Sequence, residues 1–371
     1  MNSKPILKVG IVAGEYSGDR LGTKIIKSLA KTHNIELYGV GGPKLIKQGL
    51  KPLFDFKKLH VMGLIEPLLN LRELIKFRKL LIKLFIEKEI DYFIGVDSPD
   101  FNISIHKALK LKNTCKNIQV VSPSVWVWRE NRIEEIKKYI DLTACLFNFE
   151  DNFYKKKNLP SIHIGHPFCK LFPENKEIVI KNFNLDPSKK FVSILPGSRK
   201  SEIKNLLPTY IEFIKLHSSK YSHYEYLIPA SDNQSLDIIK KDIPPDLPVL
   251  VGINCTKDFL SISDFSVVTS GTATLESAVL GTSPIICYKT NPINYFIISR
   301  MLKVDDVGLP NLLLGKRKFP ELIQRSCNAK SILEAAESIK NNNEGENISI
   351  TLRNLLIGLS PEESAQKILS L

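Results

Sequence analysis

The stretch Phe265-Ser-Val-Val-Thr269, followed directly by Ser270-Gly-Thr-Ala-Thr-Leu-Glu276, decides the fold of this chain of 371 residues. An apolar run, a turn of small residues and a helical pattern predict a strand, a tight turn and a helix start. Because Ser270, Gly271 and Thr272 are small, the backbone can approach a ligand there, and the first N–H groups of a helix favour phosphate. Glu276, one turn further in, would reach the ribose of a bound nucleotide diphosphate. An ordinary strand-to-helix turn has the same pattern, so both interpretations stay open.

A second turn of this kind follows the apolar run Phe191-Val-Ser-Ile-Leu195. It contains Gly197, Ser198 and Arg199, and a guanidinium can bond two phosphate oxygens at once. Two phosphate-type turns at strand ends are typical of an open parallel sheet that binds its ligand beyond the carboxyl ends of its strands. The alternative is two ordinary turns with a solvated arginine.

Strand and helix signals alternate along the whole chain, which predicts an α/β fold with mostly parallel sheets. The predicted strands are residues 8–13, 36–40, 92–96, 119–121, 142–147 and 162–164 in the first half, and 191–195, 224–228, 249–251, 265–268 and 284–288 in the second. The length fits two domains, and residues 168–190, rich in proline and charge, are typical of a junction. We therefore expect domains at residues 1–170 and 171–345, with a helical tail at 346–371. Such a tail either crosses back to the first domain or packs on a partner chain, as in a homodimer.

Composition excludes several classes of protein. The six cysteines are isolated in the sequence and no His/Cys cluster has metal-ligand spacing, so we expect a reducing compartment and no metal. The first apolar run, Ile6–Ala13, is too short for a signal peptide, and no run of about 18 apolar residues is present. We therefore expect a cytoplasmic protein without a membrane-spanning helix. The net charge of +13 would suit nucleic acid, but lysine is abundant throughout, which explains the charge without a partner.

Residues 64–88 carry a more specific charge pattern. Arg72, Lys76, Lys79 and Lys83 recur at helical spacing opposite leucine, isoleucine and phenylalanine. A basic amphipathic helix of this kind can lie in an anionic membrane interface. A helix that packs on the core and exposes its lysines to water has the same pattern, so periodicity alone does not decide between them.

Polar residues also follow the predicted strands of the first half. The loop Gly14-Glu-Tyr-Ser-Gly-Asp19 does not match the dinucleotide fingerprint. We interpret it as a sugar or acceptor loop in which Glu15 or Asp19 binds hydroxyl groups, the alternative being a helix capped by Ser17 or Asp19. Asp97 lies at a strand tip, where a carboxylate can take a proton from an attacking hydroxyl, whereas Asp100 has the position of a helix cap.

Further candidates lie beside other predicted strand ends. Trp126, followed by Arg129, suits a sugar ring or an acyl chain, or else packs at a domain interface. His166 is a possible general base, although a single histidine after glycine is more often structural. Asn311 and Gln324 are candidates for binding the hydroxyls or phosphates of a donor.

Eight motifs run in order along nearly the whole chain: Ala13-Gly-Glu-Tyr-Ser-Gly-Asp19, Val61-Met-Gly63 with Glu66, Asp97-Ser-Pro-Asp-Phe-Asn102, Pro123-Ser-Val-Trp-Val-Trp128, Gly165-His-Pro167, Leu195-Pro-Gly-Ser-Arg199, Ser270-Gly-Thr-Ala-Thr-Leu-Glu276 and Leu309-Pro-Asn311. This ordered set resembles the lipid A disaccharide synthase family. One departure is Asn148, where the family commonly has proline, which affects only the local turn.

The resemblance implies a GT-B glycosyltransferase with two Rossmann-like domains facing across a cleft, the first for the acceptor and the second for the UDP-sugar. The implied reaction moves 2,3-diacylglucosamine from its UDP carrier to the 6-hydroxyl of 2,3-diacylglucosamine 1-phosphate with inversion, giving the tetraacyl disaccharide 1-phosphate and UDP. It belongs to lipopolysaccharide synthesis in Gram-negative bacteria, at the cytoplasmic surface of the inner membrane, and needs no cofactor, metal or nucleic acid. That setting favours membrane docking for the basic helix.

The resemblance also implies roles for single residues. Asp97 is the expected base. Arg199, Glu276 and Asn311 match positions expected on the UDP side, and Glu15 and Asp19 match the acceptor-side loop. Taken together with the strand-end turns described above, the expected donor residues are Gly197, Ser198, Arg199, Ser270, Gly271, Thr272, Glu276, Asn311 and Gln324, and the expected acceptor residues are Glu15, Ser17, Asp19, Asp100, Asn102, Trp126 and Arg129. Two rivals remain: a UDP-sugar 2-epimerase of similar architecture, which needs no lipid surface, and a non-catalytic protein that binds a membrane or nucleic acid through its charge.

Overall fold

The computed structural model describes residues 4–56, 59, 71–123, 125, 132–290, 306–339 and 345–371. By internal contacts, the chain divides into two compact units, which we call unit 1, Met1–His166 with Ile357–Leu371, and unit 2, Pro167–Leu356. Each unit contains one sheet with helices, and every strand pair is parallel. The expectation of an α/β fold with two parallel sheets and a helical C-terminal region is confirmed.

Unit 1 contains a seven-stranded sheet in the order β3-β2-β1-β4-β5-β6-β7. Its strands are β1 (Ile6–Ala13), β2 (Asn34–Val40), β3 (Lys51–Pro52), β4 (Tyr92–Val96), β5 (Lys116–Val120), β6 (Leu142–Cys145) and β7 (Ser161–His163). Its helices are α1 (Tyr16–Leu29), α2 (Pro43–Ile46), α3 (Leu71–Glu87), α4 (Pro99–Lys112), α5 (Arg132–Tyr139) and α6 (Asn148–Lys156). The strands are almost continuously buried because helices cover both faces of a parallel sheet.

Unit 2 contains a six-stranded sheet in the order β10-β9-β8-β11-β12-β13. Its strands are β8 (Lys190–Leu195), β9 (Tyr224–Ala230), β10 (Val249–Ile253), β11 (Phe265–Thr269), β12 (Ser283–Tyr288) and β13 (Glu321–Ile323). Its helices are α7 (Lys176–Phe183), α8 (Lys200–Lys220), α9 (Asn233–Asp242), α10 (Thr256–Ile262), α11 (Thr272–Val279), α12 (Leu309–Leu314), α13 (Ala329–Ile339) and α14 (Gly345–Leu355). Short 3-10 helices lie at Pro167–Lys170 and Gln324–Ser326.

The C-terminal residues divide between the units, whereas the sequence led us to expect one tail. Helix α14 belongs to unit 2, where the Ser349 hydroxyl donates to the Val279 carbonyl. The last helix, α15 (Pro361–Leu369), buries Ala365 and Ile368 in the core of unit 1. The two helices bury apolar faces in different cores, which explains the division.

Candidate functional site

The sheet order of unit 1 contains a switch point, the kind of position at which open parallel sheets commonly bind ligands. Strands β1 and β4 are neighbours, with Ala13 beside Val96, and the chain leaves them toward opposite edges of the sheet. A crevice forms beyond the carboxyl ends of strands at such a switch point. Glu15 and Asp97 follow these two strands directly, so the topology brings the predicted acceptor loop and the predicted base together.

Asp97 is held in an unusual backbone conformation and a partly buried position. Its φ is +54° and that of Ser98 is +42°, so two consecutive non-glycine residues lie in the left-handed region. Burial raises the pKa of the Asp97 carboxyl, the negative charge of Glu15 raises it further, and the backbone N–H of Ser98 lowers it. A carboxylate with a raised pKa at a ligand-binding edge suits proton transfer.

The segment predicted as a loop, residues 14–19, is mostly the first turn of α1, which begins at Tyr16 after the N-cap position Glu15. Glu15 and Ser17 are exposed, and Glu15 makes no side-chain cap for the helix. Asp19 is buried, and its carboxylate accepts the N–H groups of Lys44 and Leu45 at 2.9 and 3.0 Å. Those groups belong to the first turn of α2, so Asp19 caps that helix. Of the three candidates, Glu15 and Ser17 are therefore the ones open to a ligand.

Asp100 and Asn102 lie in the first turn of α4, which begins at Pro99 after Ser98. The N-cap position is Ser98, so the prediction of Asp100 at a cap position is wrong: Asp100 lies inside the helix, is exposed and pairs with Arg132. Asn102 is fully buried, and its Nδ2 donates to the Asp97 carbonyl at 2.8 Å. The predicted acceptor residues Trp126 and Arg129 lie outside the described residues.

His166, the other possible base, is buried against the Phe147 ring, with centroids 5.4 Å apart. Burial, together with the smaller effect of the positive charge of Lys24, lowers the pKa of His166 to about 4. This packing supports the structural interpretation of His166.

In unit 2, the two phosphate-type turns are brought together in the same way. Strands β8 and β11 are neighbours, with Leu195 beside Val268, and the chain again leaves them in opposite directions. The Thr269 hydroxyl donates to the Leu195 carbonyl at 3.0 Å, which ties the two strand ends to each other. The turns predicted from residues 195–199 and 270–276 therefore share one switch point.

The start of α11 offers free space and an uncapped helix end. Gly271 is the N-cap, and within the described part of the chain no side chain caps the helix and a Cβ at Gly271 would meet nothing within 4 Å. The Ser270 side chain is held in place by a hydrogen bond from its hydroxyl to the Val307 carbonyl, whereas Thr272 is exposed. Burial raises the pKa of the partly buried Glu276. This helix end can accept an anion.

The turn before α8 is occupied by an acidic side chain that the sequence reasoning missed. Glu202 accepts the N–H groups of Ser198 and Arg199 at 3.1 and 3.2 Å. Gly197 has φ +108°, and a Cβ there would lie 2.6 Å from Glu202. The Arg199 guanidinium is 63% exposed and 3.6 Å from the same carboxylate. The spacing of Arg199 and Glu202 is that of a capping box, which is the signal that could have found this contact.

Asn311 and Gln324 differ in how their amides are used. Both ends of the buried Asn311 amide are bonded: Nδ2 donates to the Phe319 carbonyl and to Glu321, and Oδ1 accepts the N–H groups of Lys318 and Phe319. These four bonds favour a scaffolding role. The Gln324 oxygen accepts the Thr290 N–H at 3.3 Å, and its buried nitrogen has no hydrogen-bond partner within the described part of the chain.

Helix α3 has a buried apolar face and an exposed cationic face. Leu74, Phe77, Leu81 and Phe85 are buried, whereas Arg72, Lys76, Lys79 and Lys83 are exposed. Ile75 and Leu80 lie among these cations and are 39% and 42% exposed. Residues 64–70 of the predicted helix lie outside the described residues. Among the helices that are described, none has the length and hydropathy to cross a membrane.

Solved structures with the same fold include a sugar-nucleotide epimerase and a glycosyltransferase. A UDP-GlcNAc 2-epimerase from Neisseria meningitidis, solved with UDP-GlcNAc, matches with a TM-score of 0.58 and 12% identity over 99% of this chain and 98% of its own. The glycotransferase of kitacinnamycin matches with a TM-score of 0.60 and 11% identity over 100% and 99%. At these identities the likeness shows the fold alone, which is the GT-B architecture.

Sequence relatives give the family. The family model described as lipid-A-disaccharide synthetase matches residues 9–368. The lipid-A-disaccharide synthase of Acinetobacter baylyi is 35% identical over 98% of this chain and 97% of the relative. That of Colwellia psychrerythraea is 38% identical over 87% and 84%. On this agreement over nearly its whole length, the chain belongs to the lipid-A-disaccharide synthase family of glycosyltransferases.

Proposed function

We propose that this chain performs the reaction of its family as a direct, inverting transfer in which Asp97 is the general base. Its carboxylate takes the proton of the acceptor 6-hydroxyl while that oxygen attacks the anomeric carbon of the donor sugar. The bond from that carbon to the UDP oxygen breaks, and UDP leaves with the electron pair. The observation that carries this proposal is the position of Asp97 at the switch point of unit 1 with a raised pKa.

On the donor side, we propose that UDP binds at the switch point of unit 2. The uncapped start of α11, with Ser270, Gly271 and Thr272, would bind the diphosphate, and Glu276 would accept the ribose hydroxyls. Arg199 would offset the negative charge that grows on the departing diphosphate. Gln324, whose buried nitrogen needs an acceptor, would donate to the same ligand. Asn311 would shape the neighbouring loop.

The test of this function is UDP release from UDP-2,3-diacylglucosamine in detergent micelles, with and without 2,3-diacylglucosamine 1-phosphate. Release that depends on the acceptor, with an inverted product, is expected. An epimer of the donor that forms without acceptor would instead establish the epimerase activity of the structural neighbours. A wild-type protein that is inactive with both substrates but binds vesicles or nucleic acid would support a non-catalytic role.

A change at Glu15 is expected to move the pH dependence of turnover. The negative charge of Glu15 raises the pKa of Asp97, and a general base works only when it is deprotonated. Glu15→Gln removes that charge, so the pKa of Asp97 falls and the acidic limb of kcat/KM moves to lower pH. The measurement is the pH–rate profile, and Glu134→Gln, an exposed carboxylate on α5, is the control. If the acidic limb of Glu15→Gln stays at the pH of the wild type, the charge of Glu15 does not affect the pKa of the group that limits activity at low pH.

We also propose that the exposed face of α3 docks on an anionic membrane, where acylated sugars reside. Four cations surround Ile75 and Leu80, which combines attraction to lipid headgroups with apolar side chains that can enter the interface. Lys76→Gln, Lys79→Gln and Lys83→Gln combined should weaken binding to vesicles with anionic lipid by about 100-fold, from about 1 kcal/mol per cation. Vesicle co-sedimentation measures this.

A matched charge change makes the membrane test specific. Lys181, Lys240 and Lys241 are exposed on other helices, and their replacement by glutamine removes the same charge without touching α3. This control should bind nearly as the wild type. Ile75→Ser with Leu80→Ser should weaken binding with the charge unchanged. Equal losses in the two lysine triples would mean that overall charge, and not the face of α3, governs binding.

A further inference from the structure

Behind the tip of β4 lies a buried cluster of polar side chains that the proposed reaction has not used. Asn102, His106, Asn117 and Gln119 are each at most 1% exposed. Gln119 Nε2 donates to the carbonyl of Asp97 at 3.2 Å, and Asn102 Nδ2 donates to the same carbonyl at 2.8 Å. Two buried amides therefore converge on the backbone of the proposed base.

Gln119 also joins two strained turns. Its Nε2 lies 3.1 Å from the Val120 carbonyl and 3.3 Å from the Val121 carbonyl. Val121 has φ +69°, and Asp97 and Ser98 also have positive φ. The left-handed region costs a non-glycine residue about 1–2 kcal/mol and persists where surrounding contacts hold it. Gln119 thus bonds the carbonyls of strained residues at the tips of β4 and β5.

His106 fixes which end of the Gln119 amide faces Asp97. Its Nε2 lies 3.1 Å from Gln119 Oε1. Since the amide hydrogens of Gln119 point to carbonyls, its oxygen must accept, and His106 Nε2 must be the donor. Burial lowers the pKa of His106 to about 4, against smaller opposing effects of Gln119, Asn117 and Asp141. His106 is therefore neutral near pH 7 and still donates through Nε2–H.

We propose that Gln119, oriented by His106 and assisted by Asn102, is a positioning residue that holds the Asp97 carboxylate in its reactive place. This inference rests on the proposed role of Asp97 as base. This inference also assigns Asn102 a supporting role, because its fully buried side chain can hold the Asp97 backbone. That role replaces the predicted contact of Asn102 with the acceptor. None of the three needs to touch the substrate.

The main test is Gln119→Met, which keeps the side-chain volume and removes the amide hydrogens. We expect kcat to fall by about 10- to 100-fold, since small misplacements of a reacting group have effects of this size. KM for both substrates should stay within about twofold because no binding group is lost. His106→Phe, which removes the donor that orients the amide, should lower kcat in the same direction.

A control separates positioning from general destabilisation. Tyr226→Phe removes a buried hydrogen bond of 2.6 Å to His217. Both residues belong to unit 2, whereas Asp97 belongs to unit 1. It should lower thermal stability without a selective loss of kcat. If Gln119→Met lowers stability as Tyr226→Phe does and leaves kcat unchanged, the positioning role is wrong.

A double variant distinguishes the positioning role of Gln119 from the proposal that Asp97 is the general base. In Asp97→Asn there is no base to position, so adding Gln119→Met should cause no further loss of turnover. A further loss equal to that seen in the wild type would overturn the positioning role. Near-normal turnover of Asp97→Asn alone would instead remove Asp97 as base, whatever Gln119→Met does.

Discussion

Asp97→Asn is expected to lower kcat by about 1000-fold, the middle of the range for loss of a general base. Asparagine has nearly the size of aspartate and keeps the backbone bonds of Asp97 to Val120, Asn102 and Gln119. It cannot take the proton from the acceptor hydroxyl. UDP affinity should not change because the proposed UDP residues belong to unit 2. Steady-state assays for kcat and calorimetry for UDP measure the two effects separately.

The same variant should be at least as stable as the wild type. The pKa of Asp97 is raised in the folded protein. For a carboxyl with a raised folded pKa, the associated stability is present at low pH and is lost as pH rises through that pKa. At neutral pH the ionised Asp97 therefore destabilises the fold, and asparagine removes this charge. A lower Tm together with lost activity would point to misfolding and not to a missing base.

The fold was largely predictable because its signals are local. Buried parallel strands are continuous apolar runs between helical segments, and the eleven predicted strands all lie within or overlap observed strands. The two strands that were missed, Lys51–Pro52 and Glu321–Ile323, lie at the edges of their sheets. They are two and three residues long, which is too short for a periodic pattern to appear.

For the candidate site, the sequence predicted positions along the chain better than contacts. Asp97, Glu15, Arg199 and Ser270 were expected in turns after strands, and they follow observed strand ends because such positions can be located from the strands before them. The capping bonds of Asp19 depend on residues 25 and 26 positions away, and the saturated amide of Asn311 depends on how the chain after α12 folds back, so a local pattern could not show either. Gln119 left one signal: a polar residue in the buried strand β5 needs a partner.

Arg199→Ala is expected to weaken UDP binding by about 10- to 100-fold, from about 1.5–3 kcal/mol for hydrogen bonds to a charged group. The guanidinium is mostly exposed, and its one ion pair among the described residues, with Glu202, is long at 3.6 Å. It is therefore free to turn toward a diphosphate. Arg199→Lys keeps the charge but loses the two-pronged geometry, so its loss should be intermediate. Isothermal titration with UDP gives the affinities.

The neighbouring Lys200 supplies the control, because it is exposed and Lys200→Ala removes one positive charge from the same helix start. If UDP binding depends only on long-range attraction, both alanine variants lose affinity equally, and this loss relative to the wild type vanishes at high salt. If Arg199 bonds the diphosphate, the loss of affinity in Arg199→Ala is the larger one and persists at high salt.

A change at Glu202 gives a second test, since its carboxylate accepts the Ser198 and Arg199 N–H groups and repels phosphate. Glu202→Gln should therefore tighten UDP binding where Arg199→Ala weakens it, and opposite signs at these adjoining groups would indicate that the diphosphate bound at the start of α11 lies next to Arg199.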